Sequence, residues 1–158
     1  MVVYYVTQTP GSSETRVIPE IHLVNQGKNA VALASLSLRY YFTVGGEDST
    51  SVQVTEHSAN ATGVGGGDIT GVTSWTVTAI PAVFEADTYL NVSFPTATTS
   101  LAPGDTATIY STLTFVDNGA MIQTNDYSFD AAATIDQPYD RIPVYSGDSL
   151  IYGTPPGQ

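Results

Sequence analysis

The sequence contains no cysteine and few basic residues, and these two shortages exclude several classes of protein. Without cysteine the chain forms neither disulfides nor zinc–cysteine sites, and it has no thiol nucleophile. Four Lys and Arg stand against 15 Asp and Glu, which gives a formal net charge of −11; the four bases are Arg16, Lys28, Arg39 and Arg141. Nucleic acids and anionic membrane surfaces are bound by clusters of Lys and Arg. We therefore expect neither of them as a partner.

Long apolar runs and helical periods are also missing. No segment approaches the roughly 18 consecutive apolar residues of a membrane-spanning helix. No segment repeats its apolar residues with a helical period over about ten positions. At 158 residues the chain is long enough to form one domain with its own hydrophobic core.

What the sequence does contain is a series of short alternating segments. Apolar or β-branched residues alternate with polar ones in residues 2–7, 19–25, 32–43, 50–57, 73–80, 88–94, 106–115 and 149–152. This period of two is typical of strands with one buried face, and clusters of Gly, Asn, Asp and Pro separate the segments. The pattern predicts an all-β fold, an antiparallel β-sandwich with jelly-roll connections and about nine strands. We assign residues 1–153 to this domain and residues 154–158 to the start of a Pro-rich linker.

Residues for catalysis are scarce. Only His22 and His57 could act as a base beside a nucleophile. His22 alternates within a predicted strand, and His57 follows Glu56 in a surface pair or on a binding face. Glycosidases need two facing carboxylates, but in a chain with 15 acids some pair is always present, so such a pair does not indicate a glycosidase. We therefore expect a protein that is not an enzyme.

Four segments together resemble a known family: SLSLRYYFT (35–43), DTYLNVSF (87–94), LAPGDTATI (101–109) and QTNDYSF (123–129). From about Val3 to Tyr152 the chain resembles the family 3 carbohydrate-binding modules, the cellulose-binding domains of cellulosomal scaffold proteins and cellulases. The resemblance implies a nine-stranded jelly roll with a structural calcium ion. It also implies a planar cellulose-binding strip on one sheet and a shallow groove on the other.

The calcium site implied by the resemblance consists of Thr43, the backbone carbonyl of Ile122, Asn125 and Asp126. The family's aspartate two places after the threonine falls on Gly45, so one carboxylate is missing here. Glu47 or Asp48 could replace it, because calcium accepts hard oxygen ligands in flexible geometry. The alternative is that Asn125 and Asp126 only form an Asx-type turn.

The planar strip implied by the resemblance is degenerate in this sequence. The matching positions are Glu56, His57, Thr112 and Asn118, of which the last two stand where the family has an arginine and a tryptophan. The family's loop aromatic falls in the run Gly65–Gly67. Since a stacked aromatic ring contributes on the order of 1 kcal/mol or more beyond area burial, the loss of two rings and an arginine should remove most of the affinity for crystalline cellulose.

The implied groove is better preserved, and its positions are Arg39, Tyr41, Tyr89 and Tyr127, with Asn91 in place of a family glutamate. We expect Tyr5 beside them. Such a row of tyrosines with one arginine could bind sugars or an extended Pro-rich linker peptide. The alternative is ordinary sheet cover, with Arg39 paired to an acid. The single tryptophan, Trp75, is either a core residue or a displaced platform for a sugar.

The resemblance implies a non-catalytic module that targets plant cell-wall polysaccharide, cellulose by family default, within a secreted or cell-surface multidomain protein. It implies a monomer tethered to other domains. One alternative is a divergent module that has lost crystalline-cellulose binding and serves an accessory or structural role, or binds single glycan chains or linker peptide through the groove. A protein-interaction or surface-sensing domain is the other alternative.

Overall fold

The computed structural model describes residues 1–46, 48–63 and 65–158. Glu47, named above as a possible calcium ligand, lies outside the described residues. The strands are β1 (Val2–Thr7), β2 (Ser13–Glu14), β3 (Pro19–Val24), β4 (Val31–Ala32), β5 (Leu36–Phe42), β6 (Val52–Ala61), β7 (Gly67–Asp68), β8 (Ser74–Val83), β9 (Ala86–Ser93), β10 (Ser100–Leu101), β11 (Thr106–Phe115), β12 (Met121–Ile122), β13 (Gln137–Pro138), β14 (Val144–Ser146) and β15 (Ser149–Tyr152). Four 3₁₀ turns cover Leu33–Ser35, Ser49–Ser51, Thr70–Val72 and Gln123–Asn125.

The strands form two main antiparallel sheets. The six-stranded sheet has the order β13-β1-β3-β11-β6-β7, and the five-stranded sheet has the order β15-β14-β5-β9-β8. Two small ribbons, β10-β4 and β12-β2, complete the fold. Of the 15 described strands, six are only two residues long, so the remaining strands agree with the predicted number of about nine. The predicted antiparallel β-sandwich is confirmed.

The period-two pattern explains why these segments become strands. Along β9, buried and half-buried residues alternate at every position, and β1 and β3 behave in the same way. The inward-facing residues of both sheets meet in one core, which includes the fully buried Ile21, Ile109, Leu38 and Leu90. Burial of one face per strand supplies the main stabilisation of such a fold. Within the described part of the chain, no helix is long and apolar enough to cross a membrane.

Tyr5 belongs to this core, so its expected place beside the groove is wrong. Its side chain is 1% exposed, and its ring centroid lies 6.1 Å from that of Tyr40 and 5.0 Å from that of Tyr139. The reason is alternation: Tyr5 shares its strand face with the buried Val3 and therefore points between the sheets.

A bulge in β6 decides which way its side chains point. Glu56 is paired with Thr112 and Val54 with Leu113, so one extra residue, Thr55, is inserted in β6. Because of this insertion, Val54 and His57 both face the inner side of the sheet, while Glu56 faces the outer side.

Candidate functional site

The structure brings the predicted calcium ligands together at one corner of the sandwich. A cavity of about 240 Å³ is lined by Thr43, Ile122 and Asn125, among other residues. One carboxylate oxygen of Asp126, Oδ1, accepts hydrogen bonds from Thr43 N at 2.7 Å and from Thr43 Oγ1 at 3.1 Å. The carboxylate therefore bonds across the fold to the end of β5, and the Asx-type turn does not describe its role.

The chemistry of this corner fits a calcium ion. The second carboxylate oxygen of Asp126, Oδ2, is buried and has no hydrogen-bond partner among the described residues. Burial raises the pKa of Asp126 to about 7, the hydrogen bonds from Thr43 act against this rise, and the negative charge of Asp87 adds to it. A buried carboxylate with a free oxygen is costly unless a cation neutralises it. The other oxygen atoms that could coordinate a metal ion here are hydroxyl, amide and carbonyl oxygens, which calcium prefers.

The acid that borders this corner is Asp87, which sequence reasoning missed. Its Oδ1 accepts a hydrogen bond from Val44 N at 2.9 Å, directly after Thr43. Asp48 is engaged elsewhere, because its exposed carboxylate accepts from Thr50 N at 2.9 Å and caps the 3₁₀ turn Ser49–Ser51. No cluster of three or more His, Cys, Asp or Glu occurs in the part of the chain that the structure describes. Any cation here would therefore rely largely on neutral oxygens.

The four strip positions do not share one surface. Glu56 and Thr112 are cross-strand neighbours, with Thr112 Oγ1 at 3.5 Å from Glu56 Oε2, but Thr112 is fully buried. His57 follows Glu56 in β6 and faces the inner side of the sheet, because adjacent residues of a strand face opposite sides. Asn118 is exposed in the turn after β11, with φ 59°, a conformation that asparagine tolerates better than most residues. Of the four, Glu56 is the one exposed on the outer sheet face.

That outer face of the six-stranded sheet carries side chains that sequence reasoning missed. The strand register aligns one row across β1, β3, β11 and β6: Tyr4, His22, Thr108 and Asn60. Tyr110 stands on the same face one step along β11, between Glu20 and Ser58, and is half-buried. The alternation of residues 106–115 could have revealed it, since Tyr110 is out of phase with the buried Ile109. This face therefore offers aromatic rings beside hydrogen-bonding groups.

The groove residues meet on the outer face of the five-stranded sheet, as the resemblance implied. Tyr41 and Tyr89 are directly paired across β5 and β9, with ring centroids 5.4 Å apart. Tyr127 packs edge-on against Tyr41 at 6.4 Å between centroids. The guanidinium carbon of Arg39 lies 4.8 Å from the centroid of Tyr89, and Asn91 is its cross-strand neighbour. The four predicted residues thus form one connected cluster.

A fifth member of the groove, Tyr145, was missed because β14 is only three residues long. The guanidinium carbon of Arg39 lies 4.4 Å from its ring centroid, so the cation stands between the rings of Tyr89 and Tyr145. Burial raises the pKa of Tyr145 above its ordinary value, so its hydroxyl remains neutral at physiological pH. Among the described residues no carboxylate lies within ion-pair distance of Arg39. The alternative in which an acid pairs with Arg39 is therefore wrong for this part of the chain.

The C-terminal residues lie across this groove. The hydroxyl of Tyr127 donates to the carbonyl oxygen of Thr154 at 3.0 Å. Residues 155–156, both proline, are half-buried, and a Cβ built at Gly157 would lie 3.8 Å from Cβ of Val83. The segment predicted as the start of a linker thus runs from β15 across Tyr127 towards the hairpin between β8 and β9.

A cleft of about 440 Å³ opens along one side of the sandwich, between β6 and β8. Its lining includes Ser49, Thr50, Val54, His57, Trp75 and Val77. The ring centroids of His57 and Trp75 are 4.4 Å apart, with the ring planes at 42°. Trp75 is half-buried and packs against the main core, and it also lines the cleft. We refer to this feature as the β6–β8 cleft.

Comparisons with known proteins agree with these observations. The family model described as "Cellulose binding domain" matches residues 2–153. The chain is 30% identical over 157 residues to cellulosomal-scaffolding protein A of Acetivibrio thermocellus, covering 98% of this chain and 8% of that protein. It is 29% identical over 140 residues to exoglucanase-2 of Thermoclostridium stercorarium, covering 89% of this chain and 14% of that protein. The chain thus spans only a small part of either relative.

A solved structure has the same fold over almost the whole chain. It is the CBM3a-L domain with flanking linkers from scaffoldin cipA of the cellulosome of Clostridium thermocellum, with a TM-score of 0.88, 29% identity, and 99% of this chain and 91% of that chain covered. The matching family model and relatives define the class of protein, a non-catalytic carbohydrate-binding module. The chain belongs to the family 3 carbohydrate-binding modules, which confirms the family and the class expected from the sequence.

Proposed function

We propose that this chain attaches a larger, secreted protein to cellulose or a related plant cell-wall glucan. The observation that carries this proposal is the outer face of the six-stranded sheet, where Tyr4 and Tyr110 accompany Glu56 and His22. Aromatic rings stack on the apolar faces of glucose units, while polar neighbours hydrogen-bond the hydroxyl groups. Membership of a family whose model is described as a cellulose binding domain supports the choice of ligand.

We further propose that the module acts as a monomer within a multidomain chain and leaves catalysis to other domains. Its relatives include a scaffolding protein and an exoglucanase in which the matching region is a small part of the whole. A protein in this role needs only to hold its partner domains near the polysaccharide, which raises their effective concentration there.

The experiment for cellulose binding is a depletion assay with microcrystalline and phosphoric-acid-swollen cellulose. We expect the wild-type protein to be depleted from solution by both forms, and Tyr110→Ala to weaken binding by about 2- to 10-fold, the value of about 0.5–1.5 kcal/mol for one stacked ring. Tyr89→Ala is the matched control, since it removes a half-buried tyrosine from the opposite sheet. Equal binding of Tyr110→Ala and wild type would contradict the assignment of this face.

The groove supports a second role, the binding of extended Pro-rich peptide. The observation in its favour is that the chain's own Pro-rich tail lies there and bonds to Tyr127. Tyrosines that present both a ring face and a hydroxyl are suited to such segments, because proline rings pack on aromatic side chains and exposed carbonyls accept hydrogen bonds. We propose that the groove fixes the direction in which this tail leaves the module.

We also propose that calcium stabilises the module. Thr43, the carbonyl of Ile122, Asn125 and Asp126 would hold the ion, with Asp87 as a nearby second carboxylate. When bound, the ion would supply the positive charge that the buried carboxylate of Asp126 needs. The hydrogen bonds from Thr43 to Asp126 already hold this carboxylate in place at the end of β5.

A further inference from the structure

We propose that the β6–β8 cleft is a second carbohydrate site, one that takes a single soluble gluco-oligosaccharide chain. This inference rests on the proposed function in one respect, the preference for glucans. Its location is new, because the cleft opens between the edges of the two sheets, whereas the candidate polysaccharide face and the groove lie on their outer faces.

The aromatic wall of the cleft is built into the fold. Trp75 is paired with the fully buried Val92 across β8 and β9, so its side chain faces the core side of the five-stranded sheet. Packing against the core holds the indole in position before any ligand arrives, which lowers the entropic cost of binding. His57 meets it from the opposite sheet, at 4.4 Å between ring centroids. Two rings from different sheets thus form one end of the cleft.

The bulge of β6 is what turns this part of the strand toward the cleft. In a regular strand with the same residues and no bulge, Val54 and His57 would face opposite sides, since they are three positions apart. With it, both line the cleft, while Glu56 between them belongs to the outer face. Such irregularities occur often at binding sites, where they redirect side chains.

The lining is matched to a neutral, amphipathic ring. Val54 and Val77 offer apolar surface, and Ser49 and Thr50 offer hydroxyl groups. A pyranose ring has apolar C–H faces and a rim of hydroxyl groups that can satisfy donors and acceptors of this kind. The cavity of about 440 Å³ lies within the range of about 300–1,000 Å³ that ligand pockets occupy.

The charge of the protein excludes anionic ligands from this position. The described lining residues include no Lys or Arg, and the chain as a whole carries a net charge of −11. An anionic sugar or a phosphate would therefore be repelled on approach and would find no cation to bind. A neutral glucan meets neither obstacle.

The fluorescence of Trp75 reports ligand binding in the cleft, because Trp75 is the single tryptophan of the chain. Titration of the full chain with cellohexaose should change the tryptophan emission saturably, and calorimetry should show the matching heat. His57→Ala should weaken binding at least tenfold; His57 is exposed, so this variant is expected to fold. Trp75→Phe, measured by calorimetry, keeps an aromatic ring in the core but offers a smaller surface for stacking, and it should also weaken binding.

Two controls separate this site from the others. Thr76→Ala changes the neighbour of Trp75 that faces outward on β8 and should leave the cellohexaose affinity unchanged. In Tyr110→Ala, which removes the ring of the polysaccharide face, the change in Trp75 emission should persist, because Trp75 lies away from that face. The inference is overturned if cellohexaose causes neither an emission change nor heat, if His57→Ala and Trp75→Phe bind as the wild type does, or if mannohexaose binds and cellohexaose does not. Depletion by insoluble cellulose reports separately on the proposed function, so either result can fail while the other holds.

Discussion

The contact between the C-terminal tail and the groove allows a quantitative test. The hydroxyl of Tyr127 donates to the carbonyl of Thr154 at 3.0 Å, and the side chain of Tyr127 is 8% exposed. Such a hydrogen bond contributes about 0.5–1.5 kcal/mol net. Tyr127→Phe removes this bond and leaves the ring in place. In the full chain we therefore expect it to lower the free energy of unfolding by about 1 kcal/mol.

A second variant, with residues 154–158 deleted, shows whether the destabilisation by Tyr127→Phe comes from the lost contact with the tail. Once Thr154 is absent, the hydroxyl of Tyr127 loses its acceptor, so Tyr127→Phe should cost little in the shortened chain. The coupling energy between the two changes should then be about 0.5–1.5 kcal/mol, and it does not depend on the entropy that the tail loses on packing. The measurement is urea unfolding of all four proteins, in which 1 kcal/mol moves the midpoint by about 0.3–1 M.

Two controls make this test specific. Tyr110→Phe removes a hydroxyl from the opposite sheet, and its effect should be the same with and without the tail. Gly153→Ala should imitate the deletion, because Gly153 has φ 78° and an added Cβ would lie 2.6 Å from the carbonyl oxygen of Asp140. If Tyr127→Phe costs the same in both chain lengths, the tail does not pack on the groove in solution and the reasoning is refuted.

Two further predictions concern the calcium corner and the core. Chelation with EDTA should lower the melting temperature, and calcium at about one hundred times its dissociation constant should restore about 2.7 kcal/mol of stability; an unchanged melting curve would count against the ion. Asp126→Asn should abolish this response and Asp87→Asn should weaken it, whereas Asp48→Asn, which changes the cap of a turn, should leave it intact. Leu90→Ala should cost about 2–5 kcal/mol in urea unfolding, because Leu90 is fully buried between the sheets; a cost below about 1 kcal/mol would contradict its core position.

Much of the fold could be predicted from the period of two alone. The segments 2–7 and 106–115 became β1 and β11 with the predicted bounds, because alternation of this length leaves one face to bury. The short strand β14 was not predicted, since three residues carry too little pattern. As a result, the sequence did not predict Tyr145, the second aromatic ring that contacts the guanidinium of Arg39.

The sites were less predictable because they depend on which face a side chain occupies. The bulge at Thr55 is visible only in the register of β6 against β11, and it places His57 on the same side of the sheet as Val54. Asp87 borders the calcium corner through Val44 N, a contact between residues 43 positions apart that no local pattern encodes. Part of the groove was predictable, because Arg39 and Tyr41 share one strand face and Tyr89 is the cross-strand partner of Tyr41.

The single inserted residue in β6 also has a consequence for how this module can diversify. In a regular strand an insertion or deletion reverses the facing of every side chain on one side of it, but a bulge absorbs a change of one residue. Loss of Thr55 would make Val54 and Glu56 consecutive residues facing Leu113 and Thr112, so Val54 and His57 would keep their shared inner side and only the local bend of β6 would be lost. The module can thus lose this one residue of β6 with the core and the cleft lining intact, whereas the same loss elsewhere in β6 would turn part of the strand to the opposite side of the sheet.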